Sequence, residues 1–79
     1  MVTAAEQRAE EEQAIEDEHL AFQRRQQAFL TVSKQFTPHG NGVPLDADLR
    51  ELEAAEADWK AKNAVVERIA EEIRTGKRA

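Results

Sequence analysis

A chain of 79 residues with a net charge of −5 and no cysteine forms at most one small domain. It has no disulfide or thiolate metal site, and it lacks the basic balance that binding to nucleic acid or anionic lipid draws on. Fourteen of its residues are alanine, which leaves few side chains large enough to build a core. No apolar run reaches the length of a membrane span or a secretory leader, so a soluble, cytoplasmic protein without a membrane partner is expected.

Thr3-Ala4-Ala5-Glu6 has the spacing of a capping box, in which a hydroxyl accepts an orphan amide of the first turn. It opens a helix expected over residues 3–36. Residues 3–18 are biased to Ala, Glu and Gln, which favour helix but bury little, so the first two turns are expected to fray. Farther along, Ile15, Phe22, Phe29 and Phe36 recur at every seventh residue.

Pro38 disfavours helical geometry at Thr37, and His39-Gly40-Asn41-Gly42 tolerates positive φ, so residues 37–44 are expected to connect two helices. The second helix is expected over about 46–75, opening at Asp46 or Asp48 and closing at Gly76, which suits a left-handed terminal position. Residues 76–79 follow as a short basic tail, of which Lys77 to Ala79 are expected to fray. Leu45, Leu52, Trp59, Val66 and Ile73 repeat the seven-residue ladder.

Apolar residues at this period mark helices that pack along a supercoiling seam. The fold class expected is therefore all-α, a single-domain antiparallel two-helix coiled-coil hairpin. Folding the chain about residues 37–44 sets Phe36 against Leu45, Phe29 against Leu52, Phe22 against Trp59 and Ile15 against Val66. Charge supports the same alignment: residues 1–20 carry −6, 21–36 carry +3, 45–58 carry −5 and 59–79 carry +3. The antiparallel arrangement lays each acidic block beside a basic one and places acids at both helix N-termini, where the macrodipole favours them. Two helices touching along one seam leave most of each in water. Self-association into a four-helix bundle, most simply a homodimer, is expected.

On these grounds the seam is assigned to Ile15, Phe22, Phe29, Phe36, Leu45, Leu52, Trp59, Val66 and Ile73, with Phe22 and Trp59 as central anchors. A second ladder, Ala14, Ala21 and Ala28 continued by Val32, would let another helix approach closely, and Leu20 and Leu30 lie off the seam. These six form the candidate partner or oligomer surface.

His19, Gln26, Ser33, Glu56 and Asn63 interrupt the apolar stripe and are expected to set register, with His19 near Asn63 and Gln26 near Glu56. Glu16 and His19 have the Glu-x-x-His spacing of carboxylate-bridged metal bundles. The facing level offers Lys62, which opposes a cation, so no metal or cofactor is expected. Arg24 and Arg25 among glutamines form a short basic patch, too small for a nucleic-acid stripe; a salt bridge from Arg25 to Glu18 or Glu56 is expected, and another from the tail to the acidic first turns. No nucleophile motif or phosphate-cradling loop is present, so no catalytic residue is assigned.

The function expected is protein–protein interaction, as an adaptor, co-chaperone or regulatory subunit holding itself and a further protein partner. The alternatives are a nucleic-acid-associated regulator using Arg24 and Arg25 and, behind it, the metal-binding bundle.

Overall fold

The computed structural model describes residues 2–36 and 44–78. Helix α1 spans Ala4–Lys34 and helix α2 spans Asp46–Arg74, packed antiparallel as an all-α hairpin 56 × 19 × 17 Å in extent. Of the connection expected over 37–44, all but Pro44 lies outside the described residues.

Each helix end has a chemical cause. Thr3 is extended, and its Oγ1 accepts the Glu6 N–H at 3.1 Å, satisfying one of the free donors of the first turn. At the start of α2 the cap residue is Leu45, which has no side-chain acceptor. Its place is taken from the other helix: Gln35 Oε1 accepts the Leu45 N–H at 2.6 Å while Gln35 Nε2 donates to the Asp48 carboxylate. One amide thus ties the end of α1 to the beginning of α2. The far end of α2 closes on Gly76 at φ +76°, with Lys77 N–H donating to Glu72 O at 2.8 Å and Gly76 N–H to Ile73 O at 3.2 Å. That bonding pattern needs a left-handed residue at the glycine position.

The seam on α1 differs from the one expected. Ala14, Ala21, Ala28 and Val32 are its buried residues, whereas Ile15, Phe22, Phe29 and Phe36 are 39–63% exposed. On α2 the buried residues are Ala55 and Ile69; Leu52, Trp59 and Val66 are half-buried, and Leu45 and Ile73 at the ends are exposed. The half-buried Glu18 and Arg25 complete a four-then-three spacing along α1 through Ala14, Ala21, Ala28 and Val32, as a coiled-coil seam requires.

Trp59 explains the displacement by one residue. Its indole N–H donates to Glu18 Oε1 at 2.9 Å, and the Arg25 guanidinium stands 5.1 Å from the centre of its ring. Glu18 and Arg25 both belong to the line of α1 that carries the buried alanines, so the indole is tied to that line rather than to the phenylalanine line. Small side chains along it let the two helices approach closely.

Candidate interaction surface

The two open sides of this seam differ in chemistry. On one side Arg24 bridges to α2: its Nε and Nη2 donate to the two carboxylate oxygens of Glu51 at 2.9 and 2.8 Å, and its Nη1 lies 3.6 Å from Asp58. Lys62 extends the network, 3.3 Å from Asp58. The Arg24 guanidinium holds the Glu51 carboxyl below the usual carboxylate range, chiefly through its hydrogen bonds.

On the other side the aromatic ladder stands in the open. Ile15, Phe22 and Phe29 recur at the position just past the buried alanines, so in a supercoiled helix they keep one bearing relative to the seam, and the exposed Phe36 follows just beyond the end of α1. At the terminal end of the hairpin Ile15 joins Ala14, Val66, Ile69, Ala70 and Ile73 in lining a shallow apolar groove with Glu11 at its rim. Leu49 and Ile73 on α2 are also exposed. The seam line of α1 reads Ala14, Glu18, Ala21, Arg25, Ala28, Val32, Gln35, and its neighbour reads Ile15, His19, Phe22, Gln26, Phe29, Ser33, Phe36. The line carrying the larger apolar side chains faces outward.

At the end that holds both termini, Arg78 folds back. Its guanidinium, 5% exposed, reaches Glu72 at 3.0 Å, Glu11 at 3.2 Å and also Glu10. The hydrogen bond from Arg78 is the largest cause of the lowered Glu10 pKa, and the same bond raises that of Arg78. The tail expected to fray is docked by this residue onto the acidic first turns of α1.

Ala14, Ala21, Ala28 and Val32, taken from the sequence as a surface for a partner, are covered instead by α2. The small-residue line does admit a helix closely, and that helix belongs to the same chain. Leu20 and Leu30 remain exposed. Arg25 lies over Trp59, and the ion pairs to α2 come from Arg24 in its place. His19 meets Gln23 at 3.1 Å on its own helix, and Asn63 donates to Glu67 at 3.2 Å on its own. No cross-helix pair between His19 and Asn63 forms. Among the described residues no group of three His, Asp or Glu side chains converges as a metal site would require.

Ala55, Ile69 and Gln35 escaped the sequence reasoning, whereas the Arg78 pairs to Glu10 and Glu11 are the salt bridge expected between the tail and the acidic first turns. Ala55 and Ile69 had a usable signal, since each lies three residues beyond a ladder residue, Leu52 or Val66, where a seam places its second apolar position in each heptad. Gln35 acts across the hairpin and carries no local pattern.

No family model matches the chain, and no curated protein or solved structure is significantly similar to it.

Proposed function

We propose that this chain works by contact, as a small helical-hairpin protein of the adaptor, co-chaperone or regulatory-subunit kind that self-associates and offers an apolar edge to protein. One observation supports this above the others: Ile15, Phe22 and Phe29 in register along α1, with Phe36 just beyond its end, are exposed while alanines occupy the intramolecular seam. Large apolar side chains repeated along one exposed line are the kind of surface that association uses. No residue is given a catalytic role. No helix among the described residues is long and apolar enough to cross a membrane, and a chain without cysteine accords with the cytoplasm.

The test is the variant Phe29→Glu beside the native chain, compared by sedimentation and circular dichroism. Self-association through the edge predicts that the native chain sediments above monomer mass at micromolar concentration and that the variant stays helical but becomes monomeric. An unchanged sedimentation profile in the variant would remove the aromatic edge from the account.

A further inference from the structure

We propose that the occupant of the aromatic edge is a second copy of this chain, its α1 crossing the first antiparallel about a two-fold axis at the level of Arg25 and Gln26. This pairing rests on the contact function above and gives that contact a geometry.

Three observations carry it. The ladder of Ile15, Phe22, Phe29 and Phe36 has its midpoint between Arg25 and Gln26. An antiparallel partner centred there sets Phe22 near Phe29 of the second copy and Ile15 near Phe36 of the second copy, so that all four rungs are covered on both copies. A two-fold contact is self-complementary in this way, each residue meeting the counterpart of the one it is met by.

Charge selects the direction. At this register Glu16, Asp17 and Glu18 of one copy run beside Lys34 of the other at each end of the overlap, while Arg24 and Arg25, engaged with Glu51 and Trp59 of their own copy, flank the axis. A parallel arrangement in register would set the same three acids against each other, which costs association. The corresponding line of α2 passes through Glu56 and Asn63 and offers no such ladder.

Length fits as well. The exposed ladder spans most of the length of a hairpin 56 Å long, so the contact can run along the molecule rather than meet it at a point.

The natural chain has no cysteine, so single cysteines report the geometry cleanly. Gln26→Cys and Ser33→Cys both lie on the line that runs between the rungs, and neither removes a large apolar side chain. In the antiparallel pair the two residues 26 lie across the axis from each other. The two residues 33 are about 22 Å apart along the helices at 1.5 Å per residue, beyond the reach of a disulfide. Mild oxidation of the full-length variants should convert Gln26→Cys to covalent dimer and leave Ser33→Cys unlinked, while both sediment as the native chain does before oxidation. Linking of Ser33→Cys as readily as Gln26→Cys overturns the antiparallel pairing and leaves self-association standing. Absence of a covalent dimer from Gln26→Cys in a chain that still sediments as a dimer overturns the placement of the axis. A native chain that is monomeric across the micromolar range overturns the second copy as occupant, while contact with a different protein stays open to the same edge.

Discussion

Trp59 is held by two side chains of α1 that make separable contributions. The hydrogen bond to Glu18 is worth about 1 kcal/mol, and the Arg25 guanidinium over the ring contributes roughly 0.5–1 kcal/mol at a half-exposed site. Trp59→Phe keeps an aromatic ring beside Arg25 and loses the N–H, so it should lower stability by ~1 kcal/mol. Trp59→Ala removes the ring as well and should lower it by about 2 kcal/mol, less than the ~3–5 kcal/mol of a fully buried aromatic, because Trp59 is only half-buried. Urea denaturation at one fixed protein concentration measures both. Equal losses for the two variants would mean that the ring itself contributes nothing to the seam.

At the level of the helices, the hairpin is a close pairing through methyl groups with ion pairs along one edge and the apolar ladder along the other, and among the described residues no polar or charged residue is buried as a whole. Ala21→Leu tests this directly. Leucine is nearly as good a helix former as alanine, so any loss reports packing. Residue 21 is buried in the seam, so the added atoms should destabilise by ~1–3 kcal/mol. Were the phenylalanine line the seam, residue 21 would face water and the change would fall within the roughly 0.5 kcal/mol of surface substitutions. The same contrast shows what could be read beforehand. Two helices, their antiparallel sense, the Thr3 cap and the Gly76 terminus follow from local chemistry and from charge blocks that are visible in the chain. Which of two adjacent ladders turns inward does not. Ile15, Phe22, Phe29 and Phe36 share the period of Ala14, Ala21 and Ala28, and periodicity fixes a spacing without fixing a phase. The choice is made by the Trp59 ring, whose place is set only once both helices are present. A hydrophobicity rule alone favours the larger side chains, and it fails here because alanines occupy the seam while the larger side chains stay exposed.

Across the whole molecule, ion pairs join the two helices at both ends of the seam, Arg24 to Glu51 toward the α2 N-terminus and Arg78 to Glu10 at the chain termini, and this gives stability a definite dependence on pH. Glu10 and Glu51 both titrate lower in the fold than as free carboxylates, in each case chiefly through the hydrogen bond from the arginine. A carboxyl with a lowered folded pKa stabilises the fold fully above its unfolded value of ~4.3. That contribution is lost as pH falls through the lower folded value. Melting temperature at low ionic strength should therefore hold steady from about pH 7 down to pH 5 and decline once pH falls below ~4.3. Salt should shrink the effect, because these pairs are near the surface and screened. The double variant Arg24→Ala, Arg78→Ala leaves both carboxyls without the partners that lower them, so its acid decline should be shallower than that of the native chain although it starts from a lower melting temperature. Loss of the Arg78 contact should also open the first turns of α1, where Ala, Glu and Gln bury little; amide exchange there should quicken while exchange around Ala21 and Ala55 stays slow. Thermal melts by circular dichroism across that pH range, run on both proteins at equal concentration, decide the matter. Parallel acid profiles for the two would show that the arginine pairs contribute nothing to holding the hairpin closed, and the decline would then belong to the general build-up of positive charge.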